Sequence, residues 1–220
     1  MDHKQRHKKV RLPVGKPNKE HKKQAKKIDI LCNDFIAAQK EFIKRLDTIS
    51  FAANFYESIV GTTELSSLLY TASKFIKDEI PDANIGFFLR QKESFELHMF
   101  ASEQNNTVDE EHLEDCFTAE LVDNIRKSNK ICSLEDMFAL GLEGNLIKLN
   151  KLSVATIPLG QLEQSPGFIL IYRSSQNKLT AGELNNISSI TSGLSRAIHS
   201  CEALLPSNDC KFCCNNSFLC

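Results

Sequence analysis

The sequence lacks the segments and motifs by which membrane proteins, secreted proteins and several enzyme classes are recognised. No stretch approaches the roughly 18 consecutive apolar residues of a transmembrane helix, and no apolar run follows the basic N-terminus as it would in a secretory signal. The phosphate-binding pattern GxxxxGK(S/T), the dinucleotide pattern GxGxxG and the zinc-protease pattern HExxH are absent, and no serine lies in a recognisable nucleophile elbow. These absences predict a non-enzymatic protein without a membrane span.

Tryptophan is also missing, so that the 14 phenylalanines are the main bulky core residues. Eight cysteines would suit a disulfide scaffold only in a chain much shorter than 220 residues. Cys32, Cys116, Cys132 and Cys201 stand singly within apolar helix or strand patterns, as small buried residues do. This cysteine usage predicts a reducing, cytoplasmic location.

The formal net charge of −1 conceals a strong asymmetry along the chain. Residues 1–27 carry eleven lysines and arginines against two acids, a net charge of +9, and almost no large apolar residues. Such a segment cannot bury enough apolar surface to offset its chain entropy, so we expect a disordered basic tail. It serves either to solubilise the protein or as a weak electrostatic docking arm for nucleic acid, an acidic membrane surface or an acidic partner protein.

A heptad pattern occupies residues 28–60 and predicts one long helix. Its apolar positions form two sets three residues apart: Ile28, Phe35, Phe42, Ile49 and Tyr56, and Leu31, Ala38, Arg45, Ala52 and Ile59. Because such a helix is roughly 50 Å long, one small domain cannot cover its whole stripe. The pattern therefore predicts a coiled-coil helix that pairs with a second chain, and its second half also packs on its own domain. The alternative is a long intramolecular helix hairpin. Arg45 does not fit the pattern, and we expect it to pair with an acid such as Asp47 of a partner helix.

Residues 61–205 alternate between helix and strand patterns. Gly61 suits a left-handed helix end, and Thr62 or Thr63 is expected to cap the next helix, which Pro81 stops. The predicted strands are 84–91, 94–101, a short edge strand at 130–134, a strand within the run 153–160 that ends at Pro158, and 167–174. Two later helices are predicted. The first begins at Thr107, where Glu110 completes a capping box, and its apolar stripe consists of Leu113, Phe117, Leu121 and Ile125. The second begins at Thr180, where Glu183 completes a capping box.

The last predicted helix has its own heptad series. Ile187, Leu194 and Cys201 recur every seven residues. Two flanking helices with heptad seams indicate that they pack side by side and offer one surface to a second copy of the chain. We therefore assign these three residues, together with Ile28, Leu31, Phe35, Phe42, Ile49 and Tyr56, to a predicted homodimer seam.

The order of elements resembles that of a GAF domain, the regulatory module of signalling proteins. The resemblance covers about residues 62–205 and rests on the helix and strand pair 62–101, ATIPLG (155–160), GFILIY (167–172) and LTAGELNNISSITSGLSRAI (179–198), in which Leu179, Thr180 and Glu183 fit the family's helix cap. It implies an α/β (α+β) fold with a central antiparallel sheet flanked by helices, a small-molecule pocket on the face opposite the terminal helices, and homodimers through those helices. It also implies a regulatory or sensory role whose output passes to a signalling partner such as a kinase or response regulator.

Several family signatures that would name a ligand are incomplete here. The cyclic-nucleotide signature is represented only by Asn177, Lys178 and Leu179, and no cysteine lies where bilin-binding members attach their chromophore. Cys116 and Cys132 alone do not match the three cysteines of the methionine-sulfoxide-reducing members, which remain a third alternative. The resemblance therefore implies a fold and a class of role, without a ligand.

Two sets of candidate site residues follow. The strands of the implied pocket carry Phe88, Arg90, His98, Phe100, Thr156 and Tyr172, of which the Arg and His suit an anionic ligand. The expected flexible tail 206–220 carries Cys210, Cys213, Cys214 and Cys220 at partly metal-like spacing. This tail is either functionally idle, a zinc or other soft-metal site, or a set of redox-labile thiols. The sequence leaves any cofactor unknown: it requires none, and it allows zinc at the Cys-rich tail. A metal-binding or redox-responsive protein is thus the alternative function.

Overall fold

The computed structural model describes residues 19–91, 94–101, 113–160 and 165–204. The chain forms two compact units that divide between Asp47 and Thr48. In chain order the elements are α1 (Lys19–Ile59), α2 (Leu65–Glu79), β1 (Asn84–Gln91), β2 (Ser94–Phe100), a 3-10 turn (Leu113–Cys116), α3 (Ala119–Ser128), β3 (Cys132–Ser133), α4 (Leu134–Ala139), α5 (Leu146–Leu149), β4 (Leu152–Leu159), β5 (Gly167–Ser174) and α6 (Ala181–Leu204).

The second unit is built on a five-stranded antiparallel sheet of order β2-β1-β5-β4-β3. The prediction of a central antiparallel sheet flanked by helices is therefore confirmed. Pro158 does not end β4, because it still pairs with Phe168 and the strand continues to Leu159. A proline is tolerated there because β3 pairs only with Ala155 and Thr156, so the side of β4 that faces β3 is unpaired at Pro158.

One face of the sheet, which we call the helical face, packs against α2, α6 and the end of α1. Phe87, Ile169 and Ile171 point to this face and are completely buried. Phe55 brings α1 into the same core and is also fully buried. The Tyr56 hydroxyl donates a hydrogen bond to the Ser189 carbonyl oxygen at 3.3 Å. The last turns of α1 are therefore part of the domain core.

The assignment of Ile187, Leu194 and Cys201 of α6 to a dimer seam is wrong. Ile187 and Leu194 are fully buried in the core of the helical face, and Cys201 is 2% exposed. Burial raises the pKa of the Cys201 thiol, and the nearby Glu202 carboxylate raises it further. The seven-residue spacing in this helix therefore reflects packing on its own sheet and on α2, which leaves these side chains unavailable to a second chain.

Two helix starts differ from the predictions. α1 begins at Lys19, before Ile28, because the lysine-, glutamine- and alanine-rich segment after Pro17 favours helix. Glu64, and neither Thr62 nor Thr63, occupies the N-cap position of α2, and its side chain makes no capping hydrogen bond. Hydrogen bonds from the Ser66 and Ser67 hydroxyls lower the pKa of Glu64.

The helix predicted from Thr107 is also interrupted. Residues 102–112, with the predicted Thr107–Glu110 capping box, lie outside the described residues. Beyond them the chain forms the short 3-10 turn, and then Thr118 adopts an extended backbone and caps α3 by accepting a hydrogen bond from the Leu121 amide at 3.2 Å. The apolar stripe from Leu113 to Ile125 thus belongs to two elements.

Other local predictions are confirmed. α1 gives way to a turn in which Gly61 has φ of +81°. Thr180 and Glu183 form the predicted capping box at the start of α6, with the Glu183 carboxylate accepting from the Thr180 amide at 2.6 Å. Among the residues that the structure describes, no helix combines the length and the apolar character needed to cross a membrane.

A buried arginine fastens the start of α6 to the sheet. Arg173 is 4% exposed, and its guanidinium donates to Asp82 Oδ1 at 3.1 Å and to both carboxylate oxygens of Glu183 at 3.0 Å. It also donates to the Lys178 carbonyl oxygen at 2.7 Å. Because Asp82 precedes β1 and Glu183 lies in the first turn of α6, this cluster, the Arg173 clasp, joins three separate segments.

Candidate functional site

The second face of the sheet, here called the distal face, carries the candidate site. Strand alternation directs Phe88, Phe168 and Tyr172 to this face, where they are at most 6% exposed. Apolar side chains of α3, α4 and α5 cover them, and they include Leu121, Val122, Ile125, Met137 and Leu149. The distal face therefore has its own apolar core, separate from that of the helical face.

The structure does not bring the six predicted pocket residues together. Phe88, Arg90, Thr156 and Tyr172 share the distal face, with Arg90 exposed at its edge. His98 and Phe100 lie on the helical face, because His98 pairs with Phe87 and Phe100 with Ile85. The assignment of these last two to the pocket is therefore corrected. The Phe100 ring packs edge-on against Phe87 at 5.8 Å, and His98 Nε2 lies 3.4 Å from Glu96 Oε1.

Three phenylalanine rings form the centre of the distal face. The Phe88 ring stacks on Phe168 at 4.8 Å and on Phe117 at 5.0 Å between ring centroids. Phe117 comes from the segment between the 3-10 turn and α3, and its side chain is half-buried. Sequence reasoning placed Phe117 only in a helix stripe. Phe168 and Tyr172 are separated by an even number of residues in the predicted strand 167–174, so strand alternation could have placed Phe168 on the same face as Tyr172.

Two polar groups lie among these apolar walls. The Tyr172 hydroxyl donates a hydrogen bond to Glu114 Oε2 at 2.9 Å. Thr156 is fully buried, and among the described residues its hydroxyl has no hydrogen-bond partner. On β3, opposite Thr156, the buried Cys132 thiol lies 3.2 Å from the Ser128 hydroxyl. The arrangement offers hydrogen-bonding groups inside an apolar site, which is the composition of a small-molecule binding site.

The described residues contain no cluster of three or more His, Cys, Asp or Glu side chains that could hold a metal ion. Cys210, Cys213, Cys214 and Cys220 lie outside the described part of the chain. The three alternatives for these cysteines, which include a zinc or other soft-metal site, therefore stay predictions.

Replacing Thr156 with valine should raise the free energy of unfolding by about 1 kcal/mol, because a buried hydroxyl without a partner costs about 1–3 kcal/mol. Valine keeps the branched shape and the preference for strands. Thr191→Val is the matched control, since the buried Thr191 hydroxyl donates to the Ser188 carbonyl oxygen at 2.9 Å. Chemical denaturation of both variants measures the difference. A marked loss of stability in Thr156→Val would show that this hydroxyl is bonded.

The second candidate surface is the apolar stripe of α1. Ile28, Leu31, Phe35, Phe42 and Ile49 are 59%, 67%, 71%, 61% and 64% exposed. Arg45 forms an ion pair with Glu41 of the same helix at 3.1 Å. Tyr56 differs from the other residues of the predicted seam, since its ring lies over Gly193 of α6 and is half-buried. The exposed part of the stripe therefore ends before Tyr56.

The arrangement of sheet and helices is similar to that of solved GAF domains. The GAF domain of an Acinetobacter phosphoenolpyruvate-protein phosphotransferase matches with a TM-score of 0.50 and 14% identity, over 71% of this chain and 95% of its own. The GAF domain/HD domain protein from Geobacter sulfurreducens has a TM-score of 0.49 and 15% identity, over 64% and 95% of the two chains. A Synechocystis GAF domain in its photoproduct state has a TM-score of 0.48 and 16% identity, over 64% and 97%.

No family model and no curated protein matches the sequence. The match to the Acinetobacter domain covers nearly the whole length of that domain. The described chain has a GAF-like fold.

Proposed function

We propose that this protein is a non-enzymatic regulatory module of the cytoplasm, which pairs through α1 and senses a small ligand, or binds a partner protein, through its GAF-like domain. The observation that carries the proposal is the exposed apolar stripe of α1. Between Ile28 and Leu46, seven large apolar side chains on one side of this helix are 45–71% exposed. Contiguous apolar surface of this kind marks an interaction site on a protein that otherwise buries such residues.

The distal face supports the ligand-binding part of the proposal. The unpaired Thr156 hydroxyl and the Tyr172–Glu114 pair supply specific hydrogen bonds, and the Phe88, Phe117 and Phe168 rings supply apolar walls. Because α3, α4 and α5 cover this face, a ligand would enter by displacing part of that cover. Such a displacement is a means by which occupancy of the site changes the packing of the domain.

The end of α1 supports a route from the domain to the paired helices. Phe55 and Tyr56 belong to the core of the helical face, and the same helix carries the exposed stripe. A change in the packing of the sheet would therefore act on α1 directly. The thiols of Cys32, Cys132 and Cys201, which form no disulfide within the described residues, are consistent with a reducing compartment.

The name of one structural neighbour supports the proposed output. The Acinetobacter domain belongs to a phosphotransferase. We infer that the partner of this chain is a signalling protein such as a kinase or response regulator, and that the basic N-terminal segment contacts an acidic surface of a partner.

Native mass spectrometry of the freshly purified full chain tests this proposal. We expect twice the monomer mass of 24.8 kDa, with the additional mass of a small molecule when the distal face is occupied. A monomer at micromolar concentration would contradict pairing. A dimer that gains no mass from any member of a metabolite panel would contradict the ligand-sensing role and leave partner binding as the function of the domain.

A further inference from the structure

We propose that α1 pairs with a second copy of itself as a parallel, in-register coiled coil, with Cys32, Gln39 and Leu46 at its a positions and Ile28, Phe35 and Phe42 at its d positions. This inference rests on the proposed function and specifies its interface. It replaces the register suggested by seven-residue spacing alone, in which Leu31, Ala38 and Arg45 share the seam with the Ile28 series.

The distribution of exposed apolar residues around α1 determines the register. At 100° per residue, Ile28, Phe35 and Leu46 lie within about 20° of one another around the helix axis, whereas Arg45 lies about 100° away from Leu46. Ile36 and Ile43, exposed by 48% and 50%, extend the stripe on the side opposite Leu31. The centre of the stripe therefore passes through Cys32, Gln39 and Leu46, and Arg45 lies at its border.

This register also separates the charges from the seam. The charged residues between Ile28 and Asp47 all fall outside the a and d positions: Asp29, Asp34, Lys40, Glu41, Lys44, Arg45 and Asp47. Arg45 occupies a flanking g position, where its ion pair with Glu41 can persist in the paired state. In the register suggested by seven-residue spacing alone, Arg45 would be buried between the two helices. In the proposed register its charge stays at the border of the seam.

A groove on the surface of α1 is lined by the kinds of residue that receive an inserting side chain of the partner helix in a coiled coil. It has a volume of about 330 Å³ and is lined by Ile28, Leu31, Cys32, Phe35 and Ile36. In a parallel coiled coil, the a residue of one helix inserts between four residues of the other at positions d, g, a and d. In the proposed register these four are Ile28, Leu31, Cys32 and Phe35, so that the groove would receive Cys32 of the second copy.

Gln39 selects the parallel orientation. In parallel pairing, each a residue faces its own counterpart, so the two Gln39 amides hydrogen-bond to each other. In antiparallel pairing an a residue faces a d residue, and every d residue of this segment is isoleucine or phenylalanine. An unpartnered buried amide costs about 1–3 kcal/mol, which disfavours the antiparallel form. The apolar residues at the flanking g and e positions also pair in the parallel arrangement. Leu31 of one helix lies beside Ile36 of the other, and Ala38 lies beside Ile43.

Thiol crosslinking of the full chain tests the orientation and the register. Diamide oxidises two adjacent thiols to a disulfide, accepts their two electrons and two protons, and is reduced to the hydrazine. The reaction is run on the wild type, on Cys32→Ala/Leu46→Cys, and on the control Cys32→Ala/Ala37→Cys, whose new thiol lies on the outer face of the helix. Peptide mapping without reduction identifies which cysteines have joined, so that disulfides of other cysteines are not counted.

We expect Cys32 to join Cys32 of the second copy in the wild type, and the new thiol at position 46 to join its own counterpart. At each of these a positions the two copies of the residue face each other within the distance that a disulfide spans. The thiol introduced at position 37 should crosslink only at the background level. Sedimentation of the same samples separates two kinds of failure. A monomer would overturn the proposed function as well as this inference, whereas a dimer without both homotypic crosslinks, or with equal crosslinking at position 37, would overturn the parallel register alone.

Discussion

Replacing Leu46 by glutamate should convert the proposed dimer of this protein into a monomer. The substitution removes one leucine from each copy at the seam, and burial of two leucine side chains contributes about 3–6 kcal/mol. The dissociation constant should therefore rise about 10²–10⁴-fold, and repulsion between the two carboxylates adds to this effect. Sedimentation equilibrium measures the change. Since Leu46 is 45% exposed in the single chain, the fold of the domain should be unaffected.

Ala37→Glu is the matched control for this substitution. It introduces the same carboxylate into the same helix, at an exposed position on the face opposite the seam. We expect it to leave the dissociation constant within a few-fold of the wild type. If Ala37→Glu dissociates the dimer as strongly as Leu46→Glu does, the effect arises from charge on the helix, and the proposed seam is wrong.

Replacing Arg173 by methionine should destabilise the domain more than any exposed substitution. Removing one partner of a buried ion pair costs about 3–5 kcal/mol, and we expect the lower end because Asp82 and Glu183 are 30% and 19% exposed. A loss of about 3 kcal/mol corresponds to a fall of about 6–12 °C in Tm for a domain of this size. Arg90→Met, the same change at an exposed position of β1, should alter stability by less than about 0.5 kcal/mol. Thermal and chemical denaturation of both variants provide the comparison.

The Arg173 clasp also predicts a pH dependence. Burial raises the pKa of Asp82, but hydrogen bonds from Asn177 and Arg173 together with the Arg173 charge outweigh it and hold this pKa below its ordinary value of 3.8. A carboxyl group with a lowered pKa in the folded state contributes stability that is present above the ordinary value and is lost as the pH falls through the lowered one. In Arg173→Met the unfolding free energy should therefore fall less steeply below about pH 4. An unchanged slope would mean that Arg173 does not stabilise the ionised form of Asp82.

The strands were the part of the fold most open to prediction. The runs NIGFFLRQ and GFILIYRS are bounded by turn residues and rich in Ile and Phe, and their predicted limits coincide with β1 and β5. The capping box of Thr180 and Glu183 likewise fixes the start of α6 through local hydrogen bonds. These features depend on neighbours in the sequence, which is why the sequence reveals them.

The faces of the elements were harder to predict, because they depend on partners distant in the chain. His98 and Phe100 alternate with Leu97 and Met99 in β2, and only the register with β1 shows which pair reaches the distal face. The heptad spacing of Ile187, Leu194 and Cys201 is compatible with an exposed seam or a buried core, and the helical face of the sheet decides for the core. For the same reason, the Arg173 clasp joins residues too far apart in sequence to have been grouped beforehand.

The proposed pairing of two copies of this GAF-like module through α1 can be read from its mass in solution. Sedimentation equilibrium of the full chain across the micromolar range measures that mass. We expect a species of twice 24.8 kDa in the wild type and the monomer mass in Leu46→Glu. A wild-type protein that keeps the monomer mass throughout this range, with its apolar stripe exposed, would show that α1 does not pair.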